Sequence, residues 1–217
     1  MLGDETGAAH MVDRRTLTLP LSAEDVSSLR AGDLVFLNGL LITGRDKVHK
    51  YLVEQRPPKA DFPFDISGTV LYHCGPIMRK TEDGYSVVAA GPTTSIRVEM
   101  YEADVIREYG LRGIMGKGGM GEKTLKALQE AGCVYFHAIG GAAAYLADRI
   151  KKVVTAWKLE EFGSTEAMWF FEVKDFPAIV TMDSLGNSMH KEIEKKSFRR
   201  FSELILSKEQ GTGTKIF

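Results

Sequence analysis

The chain has 217 residues, 44% hydrophobic and 26% charged, which suits one ordinary globular domain and excludes a fibrous, collagenous or disordered protein. Its 28 Lys and Arg against 29 Asp and Glu give a formal net charge of -1, so no basic excess exists to neutralise phosphates, and nucleic acid is not an expected partner. No apolar run approaches the ~20 residues that span a bilayer, and the opening MLGDETGAAH lacks the basic start and apolar core of a signal peptide; a cytoplasmic location without a membrane partner is expected.

Residues 1–12 are rich in small and polar types and are expected to be disordered, with Met11 a candidate natural start. Thr16 to Leu19 reads as a strand, and Ser22 with Asp25 as a capped helix start. Leu34 to Leu37 and Leu40 to Thr43 read as short strands, and Arg45 to Gln55 as a helix closed by Pro57-Pro58. Thr69 to Tyr72 is a further strand; Met78 to Thr81 and Tyr85 to Ala89 flank Glu82-Asp83-Gly84, a hairpin signal. The pattern then alternates: helix Ile96 to Tyr109, strand Gly113 to Met115, helix Glu122 to Ala131, strand Val134 to Ala138, helix Ala142 to Ile150. Phe170 to Val173 and Ala178 to Met182 are two last strands, followed by a charged helix, Asn187 to Leu204, with Ile193, Phe198, Phe201 and Ile205 on its apolar side. The expected architecture is one α/β domain over residues 13–207, with a mixed, partly parallel sheet and a flexible tail at 208–217.

Cys74 and Cys133 are far apart, in no C-x-x-C pair or Cys/His cluster of metal-ligand spacing. No metal ligand set is expected in this chain, and both thiols read as free and buried.

Gly116-Lys117-Gly118-Gly119-Met120-Gly121 satisfies G-x-G-x-x-G between a strand and a helix. As a dinucleotide fingerprint it needs an acid at the end of the next strand to hold the ribose, where the sequence has Ala138, Ile139 and Gly140. Two readings stay open: a tight turn with a solvated lysine, or an anion-binding loop in which Gly116, Gly118 and Gly119 expose backbone N–H groups beside Lys117. Thr93, Thr94 and Ser95 precede a helix and suit either capping or ligand binding. Arg97 favours the second, because a guanidinium in a first turn opposes the helix dipole and binding a carboxylate explains it. Arg45, Asp46, His49 and Lys50 crowd another strand-to-helix junction, where Arg45 is the best binding candidate and the others are equally ordinary helix-face residues. His73 follows a strand beside Gly75-Pro76 and reads as structural as readily as functional. In an α/β sheet these junctions meet at one edge, where Arg45, Arg97 and Lys117 suit a small dicarboxylate held at both ends.

In order and spacing, GRDKVHK at 44–50, HCGPIMRK at 73–80, GPTTSIRVE at 91–99 and GKGGMG at 116–121 resemble the β subunit of the iron-sulfur hydro-lyases, class I fumarase and L-tartrate dehydratase, from about Leu17 to Leu206. The resemblance implies a swivelling β/β/α domain that closes on a partner α subunit, in an α2β2 assembly. The partner carries a [4Fe-4S] cluster on three cysteines, as a Lewis acid for the substrate. It implies fumarate hydration to L-malate, or L-tartrate dehydration to oxaloacetate. By motif, Thr93 would be the base at C3, with Asp46 a relay for its proton; Arg97 and Lys117 would clamp one carboxylate and Arg45 the other, and Thr94 and Ser95 would offer hydroxyl or amide hydrogen bonds. A dinucleotide-binding oxidoreductase domain and a non-catalytic swivelling module are the readings from other classes.

Overall fold

The computed structural model describes residues 15–210. The elements in chain order are β1 (Arg15–Leu19), α1 (Ala23–Ser28), β2 (Leu34–Thr43), α2 (Asp46–Gln55), β3 (Val70–Tyr72), β4 (Ile77–Thr81), β5 (Gly84–Ala89), α3 (Glu99–Tyr109), β6 (Gly113–Gly116), α4 (Glu122–Ala131), β7 (Val134–His137), α5 (Ala143–Asp148), β8 (Ile150–Trp157), α6 (Leu159–Phe162), β9 (Met168–Met182) and α7 (Met189–Gln210). The segment 1–12 and Met11 lie outside the described residues, as do the last seven residues of the tail.

Strands β1, β2, β3, β6 and β7 are parallel, β9 runs antiparallel to them, and β8 pairs antiparallel with β9, so the sheet is mixed and partly parallel as expected. Strand β9 pairs with β7 through Ile179 to Met182 and with β2 along Phe170 to Ile179, which closes the sheet on itself. The period of two then divides the apolar residues into two cores. Val70, Tyr72, Met115, Val134, Phe136, Trp169 and Phe171 face one, with β1 and α1. Leu71, Ile114, Tyr135, Met168 and Phe170 face the other, under α2, α3 and α4. Ser22 caps α1 in a full capping box with Asp25.

Several elements differ from their sequence expectation. The runs Leu34 to Leu37 and Leu40 to Thr43 are one strand, bulged between Leu37 and Gly39. Gly39 takes φ 110 there, and a Cβ would stand 2.6 Å from the Leu19 carbonyl oxygen. The last two expected strands are likewise a single 15-residue β9, kinked at Asp175 (φ 51), whose N–H donates to Asn38 Oδ1 at 2.8 Å. The helix expected from Ala142 ends at Asp148 and gives way to β8, an edge strand whose Lys151 and Lys152 are exposed and disguise its pattern. Ser95–Val98 is a 3-10 turn ahead of α3 rather than part of it.

Candidate active site at the strand ends

Because β2, β3, β6 and β7 are parallel, their carboxyl ends share one edge, and every motif singled out by sequence lies just beyond them. The segment Thr93–Ser95 threads between two of these ends. Thr93 N–H donates to the His73 carbonyl at 2.6 Å, Lys117 N–H to the Thr93 carbonyl at 3.3 Å and Ser95 N–H to the Lys117 carbonyl at 3.0 Å. Thr93 and Lys117 are thus tied by backbone, with the Thr93 side chain half-buried and Thr94 exposed.

The helix N-termini at this edge are already occupied by carboxylates of the protein. Glu99 accepts from Gly121 N–H at 2.8 Å, Thr124 N–H at 3.1 Å and the Thr124 hydroxyl at 2.7 Å, capping α4. Glu166 accepts from Lys47 N–H at 3.0 Å at the start of α2 and lies 3.3 Å from Arg45 Nε. A pyrophosphate would need the N–H groups that Glu99 takes, so the dinucleotide reading does not fit this geometry. The loop 116–121 keeps its glycines for local reasons: Gly118 and Gly119 have φ of 84 and 76, and a Cβ at Gly116 would collide with Ser95 Oγ.

What faces outward is cationic. Arg45 is partly buried, its side chain laid over Gly75, where a Cβ would come within 2.6 Å of Arg45 Cδ. Arg97, 53% exposed, pairs with Asp46 at 2.8 Å, and Arg45 Nη2 lies 3.8 Å from the same Asp46 oxygen. Among the described residues no carboxylate forms an ion pair with Lys117, which is half-buried and carries its Cδ to within 3.8 Å of a Cβ built at Gly140. Asp46 therefore stands between two guanidiniums, a holder of cations rather than an unpaired base.

Behind this surface lies a buried polar array. His49 Nδ1 contacts the Arg45 carbonyl at 2.7 Å, and its Nε2 meets Glu102 Oε2 at 3.1 Å; His73 Nε2 meets the same Glu102 oxygen at 2.9 Å. His73 Nδ1 contacts Ser95 Oγ at 2.9 Å, Ser95 Oγ contacts the Tyr135 hydroxyl at 2.9 Å, and Gly119 N–H donates to that hydroxyl at 3.3 Å. Facing two imidazoles, Glu102 has its carboxyl pulled down to about 2 despite burial. Burial works against charge on His49, yet Glu102 and the Arg45 carbonyl raise it above its ordinary value; burial lowers His73.

A family model described as Fumarase C-terminus matches residues 4–193. This chain belongs to the fumarase C-terminus family. Relatives within reach of this family domain include a protein named "Putative fumarate hydratase class I" from Geobacillus stearothermophilus, 53% identical over 194 residues, covering 88% of this chain and 37% of that protein. The chain therefore spans little more than a third of that relative. It matches a "Putative L(+)-tartrate dehydratase subunit beta" of Methanocaldococcus jannaschii at 42% identity, covering 85% of this chain and 95% of the relative. The L(+)-tartrate dehydratase subunit beta of Escherichia coli is 38% identical, with 88% of this chain and 94% of that one covered.

Within this fumarase C-terminus domain, the fold brings Arg45, Asp46, Thr93, Thr94, Arg97, Lys117 and the 116–119 loop to one sheet edge. Ser95 stands apart: its side chain is buried, and its hydroxyl and N–H are both engaged inside the protein, which does not meet the expectation of bonds offered to a substrate. The expectation of two free, buried thiols agrees with the structure: Cys74 and Cys133 lie buried in separate cores, and burial pushes the Cys74 thiol up to about 12. His49, His73 and Glu102 bring three ligand-type atoms within 4.8 Å of one another, a cluster that spacing along the chain does not reveal. Glu102 had a sequence signal: it shares the apolar face of α3 with Val98, Val105, Ile106 and Tyr109, where a carboxylate needs a buried partner.

Proposed function

We propose that this domain is the substrate-closing half of a [4Fe-4S]-dependent hydro-lyase, the β subunit that works with a cluster-bearing α subunit in an α2β2 assembly and hydrates fumarate reversibly to L-malate. The observation that carries the reading is that Arg45 and Arg97 share Asp46 and that Lys117 is tied by backbone to Thr93, all at one edge of strand ends. Three cations within one open surface suit a dianion, and 53% identity to a relative bearing a fumarate hydratase name supports fumarate.

Each residue has a role in this reading. Arg97 and Lys117 clamp one carboxylate; Arg97 exchanges Asp46 for substrate, trading one anion for another. Arg45, held by Glu166, takes the other end. Thr93, in its backbone clasp between His73 and Lys117, removes the C3 proton of L-malate in the dehydrating direction. Surrounding cations favour its alkoxide. Thr94 and the Gly118 N–H bind substrate oxygens, the Gly119 N–H being given to the Tyr135 hydroxyl. The chain's own thiols do not suit an iron-sulfur cluster: it has two cysteines, both buried and in separate cores. In this reading the cluster is held by the α subunit, and the swivel of this domain brings the cations over it.

A second reading, L-tartrate dehydration to oxaloacetate, is favoured by length: the two relatives named as tartrate dehydratase β subunits match this chain over 95% and 94% of their own lengths. Anaerobic purification of the native complex, with iron and sulfide analysis and assays on fumarate, L-malate and L-tartrate, decides between them. In the active complex, Arg97→Ala is expected to lower kcat/KM by about 100-fold or more through loss of a charge-assisted contact. Activity within a few fold of wild type would remove Arg97 from the site and favour a non-catalytic module.

A further inference from the structure

Hydrogen-bond chemistry gives the buried array a direction. The Arg45 carbonyl and the Glu102 carboxylate only accept, so both nitrogens of His49 carry protons and its ring is an imidazolium that balances Glu102. His73 Nε2 lies 2.9 Å from the same Glu102 oxygen without the alignment of a hydrogen bond, a charge contact that favours a proton on Nε2 and leaves Nδ1 as acceptor for the Ser95 hydroxyl. Ser95 Oγ in turn accepts from Tyr135, and the Tyr135 oxygen accepts from Gly119 N–H. Three of the six contacts pass from the glycine loop to His73, His49 donates both to Glu102 and to the Arg45 carbonyl, and His73 faces the same carboxylate. The two ends belong to different junctions, and the middle residue, His73, also holds the Thr93 N–H on its carbonyl.

We propose that His49, Glu102, His73 and Tyr135 form a proton-ordered brace, with Ser95 as its link, that holds Arg45, Thr93 and the Gly118–Gly119 loop in one fixed frame, making these four positioning residues of the site. The proposal rests on the hydro-lyase reading for what the frame serves, and on geometry alone for its existence. Glu102 binds His49 by a hydrogen bond and His73 by close charge contact through one oxygen, Oε2, while its Oε1 has no hydrogen-bond partner among the described residues.

The test has two arms. In the full wild-type chain, ¹⁵N-histidine NMR at neutral pH is expected to give two protonated nitrogens for His49, and for His73 a protonated Nε2 with a bare Nδ1. A neutral His49, or a His73 protonated on Nδ1, would overturn the brace. In the complex with its partner, Glu102→Gln keeps shape but puts an N–H where the brace needs an acceptor. It is expected to cut kcat by about 100-fold while KM moves by about threefold or less, and to shift the Thr93 and Gly119 amide resonances. Should that variant not fold, Tyr135→Phe removes a single hydroxyl and leaves the histidines and Glu102 intact; its expected loss in kcat is about tenfold, with the same amide shifts. Unchanged kcat and amide positions would overturn the proposal. If the wild-type complex acts on neither fumarate nor L-tartrate, the hydro-lyase reading fails, and the histidine and amide spectra still decide the brace.

Discussion

Glu102 and His49 make each other's charge possible, and this sets a pH window. The folded pKa of Glu102, about 2, is below its unfolded value of ~4.3, so its contribution is present above that value and fades as pH falls toward 2. His49 is raised above ~6.5, so its contribution is full below that pH and is lost as pH rises through the folded value. The difference in unfolding free energy between wild type and Glu102→Gln is therefore expected to be widest between about pH 4.3 and 6.5 and to narrow on both sides, read from urea titrations across pH. A difference independent of pH would contradict the charged pair. Gly116→Ala attacks the same array sterically, because its Cβ needs the place of Ser95 Oγ and comes within 3.1 Å of His73 Nδ1; a loss of about 1–3 kcal/mol is expected in the same titration. At this scale residue type and junction coincide for Arg45, Arg97 and Lys117, and the fold sets all three at the one edge that their junctions imply. The sequence was silent on direction: nothing in Thr93-Thr94-Ser95 says that the third hydroxyl turns inward while the first stays at the surface.

At the scale of elements, helix α4 starts on a carboxylate that is not its own. Glu99 belongs to α3 and satisfies two N–H groups and one hydroxyl at the start of α4. Glu99→Ala is expected to cost about 1–2 kcal/mol in urea unfolding, as loss of an N-cap does, while the exposed pair Arg107–Glu130 between the same helices contributes far less. Long-range caps of this kind explain why the strand-to-helix junctions were legible and their occupancy was not. Local sequence marked a positive helix end beside glycines; the acid that fills it stands 22 residues earlier, on the helix before the strand. The fused strands have a similar cause. Asn38-Gly39 and Lys174-Asp175 look like turns, but they are the two sides of one bulge within a continuous β2–β9 ladder, joined by the Asp175 N–H to Asn38 bond.

For the whole molecule, closure by β9 predicts a gradient of protection. Leu41, Ile42, Phe170 and Phe171 sit where β2 and β9 pair between both cores, and their amides are expected to exchange with solvent among the slowest, near the global unfolding limit. Helix α7 differs. Its His190 packs against the glycine loop and bonds Thr181 at 2.9 Å, whereas Ile193, Phe198 and Phe201 are exposed beside a groove of about 660 Å³ that reaches Gly118. Removal of residues 199–217 is therefore expected to leave the melting temperature within about 4 °C of wild type, measured by calorimetry. A larger drop would mean that the end of α7 supports the core.

The cap on α2 carries a last consequence. Glu166, which secures the start of that helix and steadies Arg45, lies more than a hundred residues after them, just ahead of β9. During synthesis the chain emerges with Arg45 early and Glu166 late, so a nascent chain halted before residue 166 has the guanidinium without its anchor. Arg45 is thus anchored only in the same step that seals the barrel, so the local order of this junction depends on completion of the sheet.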